Sequence, residues 1–189
     1  MKNFDQWLFE SLQEDSQVKS QLVNVINRDI NGLKTKNAKA IADASKIIDV
    51  NAIIDKARLY LINQVPTVML GLKSGRGGDV FTSGFVGYIT SIIKSELESV
   101  NFIKKSAAKV LAPDKAAFLA RAGEFDEWPF ISTLDSLLDM GMSVGWMEAT
   151  KPYENQLWNW SKGSSNWLNK NAKKIKTDLV TLFSNFLYA

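Results

Sequence analysis

The densest group of side chains capable of chemistry is Glu124, Asp126 and Glu127, just before Trp128-Pro129. Two carboxylates can divide acid and base work in glycoside hydrolysis when they sit ~5–10 Å apart in a cleft that raises one pKa. Acids adjacent in sequence ahead of a helix lack that burial, and negative charge complementing the helix dipole explains them more simply. They are therefore read as an acidic cluster open to a protein partner. A second group, Gly75-Arg76-Gly77-Gly78, invites a phosphate-binding reading. A phosphate loop needs Gly-x-x-x-x-Gly-Lys-Ser/Thr after a strand, and a dinucleotide loop needs Gly-x-Gly-x-x-Gly opening a helix. Neither pattern is present, which leaves a mobile polar connector. The third group is Trp158, Trp160 and Trp167 around Lys162. Tryptophan interleaved with lysine can stack on single-stranded bases or sit at a membrane interface. Trp158 and Trp160, two residues apart, cannot share one helical stripe. At least one is expected outside the core, and both are candidates for partner contact; Trp167 is expected inside.

Composition narrows the chemistry further. The chain has no cysteine and no histidine. No disulfide, thiolate nucleophile or sulfur-ligated metal is available, and the commonest general base and transition-metal ligand are missing. An enzyme would have to rely on carboxylates, Lys, Tyr or a Ser-Lys pair. The reading is a non-enzymatic protein with no catalytic residues, cofactor, metal site or small-molecule substrate. Apolar residues at 46% and charged residues at 23% of 189 are those of a folded soluble domain. The net charge of +3 is unevenly spread. Residues 122–150 hold Glu124, Asp126, Glu127, Asp135, Asp139 and Glu148 with no Lys or Arg, whereas residues 151–189 hold six lysines against Glu154 and Asp178. Such segments can pair internally or be read by a partner.

The elements that would position these groups are helices. Val18, Leu22, Val25, Ile26 and Ile30 form one stripe of a helix over about 17–31, started by Asp15-Ser16 and stopped by Gly32. An alanine-rich helix over 34–48, with Ala38, Ile41, Ala42, Ser45 and Ile48 in register, is expected to pack closely on a neighbour. The next helix starts at Ala52 and is bent or ended by Pro66. Two uncharged arms, residues 59–72 and 80–93, flank the glycine loop. Fourteen residues fall short of the ~20 that span a bilayer, so the arms are read as a buried helical hairpin, with Gly84 and Gly87 allowing close helix contact. Further helices are expected over about 101–111, 113–123 and 129–140, with an apolar helix closing the chain. The expected fold is all-α, a single compact bundle-like domain of about seven to nine helices.

The N-terminal stretch is different in kind. Phe4, Trp7, Leu8 and Leu12 fall at helical spacing, while Lys2, Asp5, Gln6 and Glu10 stay in water. An apolar stripe at a chain end calls for a partner. Residues 1–11 also resemble the targeting peptide, about ten residues long, that begins many proteins packed inside the heads of large contractile-tailed bacteriophages: Met-Lys, an aromatic, a bulky apolar pair, then Glu. The maturation protease of those phages cuts after the Glu of a Leu/Ile-x-Glu sequence when a small residue follows. Leu8-Phe9-Glu10 followed by Ser11 fits that pattern. The resemblance covers about eleven residues of 189. It implies that residues 1–10 form a targeting peptide and residues 11–189 the mature helical domain, with Phe4, Trp7, Leu8 and Glu10 carrying recognition and Ser11 the new terminus. It further implies a protein of the phage head interior, later in the host cytoplasm, whose partners are other virion or host proteins. Trimming would remove Lys2, Asp5 and Glu10, moving the net charge from +3 to +4, which suits nonspecific contact with packaged DNA. The alternative is a cytoplasmic helical adaptor or structural protein that keeps its N-terminal helix; a membrane-active hairpin over residues 59–93 ranks third.

Overall fold

In the computed structural model the described residues are 4–46, 48–99, 114–117 and 149–188. The side chains of Phe4, Asp5, Trp7, Leu8, Phe9, Asp43 and Ala44 lie outside the description, as do the helices expected over 101–111 and 129–140 and most of the one over 113–123. Asp114 does act as a cap there, its Oδ1 accepting the Ala117 N–H at 2.8 Å. Every regular element among the described residues is helical: α1 (Phe4–Lys36), α2 (Ala38–Ala44), α3 (Val50–Ser74), α4 (Gly78–Glu98), a 3-10 turn (Lys151–Tyr153) and α5 (Glu154–Leu187). The all-α bundle is as expected; among the described residues α1 and α3 run longer than expected and α2 is shorter.

Helix α1 buries the expected stripe, Val18, Leu22, Val25, Ile26 and Ile30, and adds Leu33. It is not broken at Asp15-Ser16, because Asp15 points to other elements instead of capping. Nor does Gly32 stop it. A glycine stop works through a left-handed turn, and Gly32 does not have a positive φ. Helical hydrogen bonding even carries through Asn37 into α2, with Asn37 N–H reaching the Leu33 carbonyl at 3.0 Å and Ile41 N–H reaching that of Asn37 at 2.8 Å. Ile41 and Ile48 are buried, but Ala38 and Ala42 face solvent. The close packing expected of the alanines does not occur, since a two-turn helix buries only its one large apolar side chain.

Asp49 caps α3 by accepting the Ala52 N–H at 3.0 Å. Helix α3 then runs through Pro66 to Ser74. Pro66 lies on the exposed face, where water can serve the Ile62 carbonyl that proline leaves without an N–H. The helix ends in a Schellman motif: Gly75 is left-handed (φ 64°), its N–H reaching the Leu72 carbonyl at 3.2 Å, and Arg76 N–H reaches that of Gly71 at 3.1 Å. Gly77 (φ 84°) then turns the chain into α4. The three-residue connection closes the expected α3–α4 hairpin. Helix α1 packs on α3, α3 on α4 and α5, and the most extensive contact is α4 on α5. Lys34 to Asp55 (2.8 Å) and Lys56 to Glu96 (3.0 Å) bridge α1 to α3 and α3 to α4. No helix among the described residues is long and apolar enough to cross a membrane.

The tightest contact is where the hairpin meets α5. A Cβ added to Gly78 would lie 1.9 Å from the Trp160 carbonyl oxygen, and one on Gly71 would lie 2.9 Å from the Trp160 indole nitrogen. Beside this contact the buried hydroxyls of Thr82 and Ser164 meet at 2.5 Å, and Thr82 Oγ1 also donates to the Gly78 carbonyl at 2.8 Å. Gly84 and Gly87, expected to serve close packing, are exposed; open space surrounds Gly87, and the Tyr60 hydroxyl lies 3.2 Å from a Cβ on Gly84.

Candidate functional site

In the N-terminal turns of α1 no described side chain reaches the core. Gln6, Glu10, Leu12, Gln13 and Glu14 are exposed, Ser11 is half-buried, and the first described buried residue of α1 is Val18. Leu12 is a large apolar side chain at 60% exposure. The stretch Leu8-Phe9-Glu10-Ser11 is helical throughout. The side chains of Phe4, Trp7 and Leu8, expected to carry recognition, fall outside the described set.

Asp15 forms the boundary between these turns and the bundle. Tyr153 Oη donates to Asp15 Oδ1 at 2.6 Å, and Lys73 Nζ donates to Oδ2. One carboxylate thus ties α1 to the C-terminal end of α3 and to the turn before α5. The Lys73 hydrogen bond, and after it that of Tyr153, holds the Asp15 carboxyl below its ordinary value. Burial first, then the bond to Asp15, pushes the Tyr153 phenol well above its ordinary range. The phenol is neutral and the carboxylate ionised at neutral pH, so their hydrogen bond acts as a structural clamp. Beside it lies a cleft of about 400 Å³ lined by Glu10, Ser11, Glu14, Lys73 and Tyr153. The fold therefore brings the Glu10–Ser11 bond next to its own anchor. Sequence reasoning missed Asp15, Lys73 and Tyr153 because they lie 58 and 138 residues apart; Asp15 looked like a helix cap.

A second, larger groove of about 550 Å³ opens at the α3–α4 hairpin, lined by Tyr60, Gly71, Arg76, Val80, Phe81 and Trp160 among others. Three of its lining residues are aromatic: Phe81 is tilted against Trp160 at 5.4 Å, and Tyr60 is backed by Tyr88, stacked at 4.4 Å. The glycine loop at its edge does not offer its Gly75 and Arg76 amides to an anion, because they are occupied in the helix cap. Nor is it a loose connector: a Cβ on Gly75 would touch Asn159 and Gln156 at 3.6 Å.

The tryptophans separate as their spacing requires. Trp158 is 69% exposed and Trp160 is 1% exposed. Trp160 is thereby removed from the partner-binding candidates, since the hairpin covers it; Trp158 keeps its place among them. Trp167 is half-buried against the core. Glu124, Asp126 and Glu127 lie outside the described residues. Among the described residues no group of three or more acidic side chains could hold a metal ion. Comparison of the chain with family models, curated proteins and solved structures finds no match.

Proposed function

We propose that this chain is a non-enzymatic internal head protein of a large tailed phage, directed into the prohead by residues 1–10 and trimmed after Glu10. It is then carried with the genome to act on a host protein. The observation that supports the reading is the position of the grip on α1. Among the described side chains it begins at Asp15 and Val18, so removing residues 1–10 takes none of these out of the core. A protease cleft takes an extended segment, so the helix must unwind around Glu10–Ser11. Helix termini open at little cost. The cut would leave Ser11-Leu12-Gln13-Glu14 at the new terminus. This is the Ser-x-x-Glu pattern of a capping box, in which the Ser11 hydroxyl can accept the Glu14 N–H and the Glu14 carboxylate can meet the new ammonium. The mature domain would thus begin with its own cap.

The intact mass of the protein recovered from its native particle tests the proposal. The expected mass lacks residues 1–10, and Glu10→Ala should abolish the trimming. A native protein starting at Met1 or Lys2, or a Glu10→Ala variant trimmed as before, would overturn it. One observation favours the alternative, an adaptor that keeps its first helix: α1 is unbroken through Glu10–Ser11 and presents Leu12 to solvent. An untrimmed chain would offer that rod to a protein partner.

A further inference from the structure

The solvent face of α5 carries a row of positive charge that the trimming hypothesis leaves unused. At about 100° per residue, Lys162, Lys170 and Lys173 fall with Asn155, Asn166 and Asn169 in one sector of roughly 100°. All six are exposed. The two acidic residues of α5 lie off that sector: Glu154, in its first turn, falls about 60° outside the sector's edge, and Asp178 is on the far side, paired with Lys174 at 2.6 Å. Among the described residues no carboxylate pairs with Lys162, Lys170 or Lys173. The row from Asn155 to Lys173 is about 27 Å long at 1.5 Å per residue. Along its length every side chain just named can donate a hydrogen bond.

We infer that this face of α5 is a binding surface for the phosphate backbone of duplex DNA, without preference for sequence. A long row of donors and cations in whose sector α5 places no carboxylate matches a regularly repeating line of phosphates, and Lys and Asn are ordinary phosphate contacts. The row would cover about eight base pairs at 3.4 Å each. A membrane surface fits less well. A helix lying on lipid needs an apolar face, and the apolar residues Leu157, Trp160, Leu168 and Phe183 of α5 are buried in the bundle. Single strands fit less well too, because they are held by several stacking rings and, among the described residues, Trp158 is the one exposed large aromatic beside the row. The inference uses no residue before Asn155, so it stands or falls separately from trimming after Glu10.

The test is binding of the full chain to a labelled 20-base-pair duplex of arbitrary sequence as salt is raised from 50 to 200 mM. Three phosphate contacts give a slope of about −3 in log K against log salt, or a loss of roughly fortyfold over that range. The variant Lys162→Gln/Lys170→Gln/Lys173→Gln should lose both the binding and the slope. The charge-matched variant Lys19→Gln/Lys36→Gln/Lys39→Gln, altered at exposed positions on α1 and α2, should keep them. All six lysines are exposed, so both variants should fold, which circular dichroism checks. No duplex binding, or equal loss in the two variants, overturns the assignment. So does tighter binding to a single strand that Trp158→Ala abolishes, or binding confined to phosphatidylglycerol vesicles.

Discussion

Replacing Gly78 with alanine adds one methyl group where α4 and α5 approach most closely, and two effects of opposite sign follow. Gly78 opens α4 without a positive φ, so its backbone accepts alanine, and helix propensity alone predicts a gain of about 0.5–1 kcal/mol. Against this, the new Cβ would lie 1.9 Å from the Trp160 carbonyl oxygen and 3.1 Å from the Ser164 nitrogen. Both neighbours are α5 backbone, so no side chain can swing aside. Ordinary non-bonded contact begins near 3.5 Å, which requires the helices to separate by roughly 1.5 Å. The Thr82–Ser164 contact at 2.5 Å would then open. Thr82 keeps its bond to the Gly78 carbonyl, but Ser164 loses its buried partner at a cost of about 1–3 kcal/mol. Overpacking adds about 1–3 kcal/mol. The steric effect wins, and the net loss is about 3 kcal/mol. For a chain of this size that lowers Tm by roughly 6–12 °C, measured by thermal unfolding followed by circular dichroism. Gly87→Ala is the matched control: open space surrounds it, and it should gain up to about 1 kcal/mol. A Gly78→Ala protein as stable as wild type would refute the close-packing argument.

The two tryptophans should respond in opposite ways: Trp160→Ala should cost about 3–5 kcal/mol, while Trp158→Ala should stay within about 0.5 kcal/mol, both read by urea unfolding. Tyr153→Phe removes the phenol from the Asp15 clamp and should cost about 1 kcal/mol at pH 7, the value for a charged hydrogen bond discounted for partial exposure. Asp15 has a lowered folded pKa, so its contribution is full above the ordinary value of 3.8 and fades as pH falls through the lower folded one. Urea titrations should therefore show the gap between wild type and Tyr153→Phe closing in strong acid; a constant gap would mean the phenol acts by packing alone. Tyr153 has a raised folded pKa, so its contribution is full below its ordinary value of 10.0 and is lost as pH rises through the folded one. Pro66→Ala restores an N–H inside α3 and should raise stability by about 1–3 kcal/mol, seen as a higher thermal midpoint.

Local periodicity determined a good part of this fold. The stripe Val18, Leu22, Val25, Ile26 and Ile30 faces the core as its spacing requires. The uncharged arms flank a glycine turn, and Trp158 and Trp160 part to opposite surroundings, because a helix cannot put two residues 200° apart on one side. Capping and breaking signals were less decisive. Asp15-Ser16, Gly32 and Pro66 each read as a boundary, yet α1 and α3 run through them. A boundary signal is worth about 1–3 kcal/mol, and burying the continuous apolar face on either side outweighs it.

The proposed processing segment is legible as a motif, since Leu8-Phe9-Glu10-Ser11 is contiguous. Its anchor was not, because Asp15, Lys73 and Tyr153 meet only after α1, α3 and α5 have packed. The same holds for the glycines: composition offered Gly84 and Gly87 as contact points, whereas the crossing of α4 on α5 selected Gly78. The chain itself determines which face of each helix is apolar, because that depends on neighbours three and four residues away. Only the tertiary structure decides which faces meet, and so which polar side chain becomes a clamp and which glycine a point of contact, because those depend on partners far along the chain.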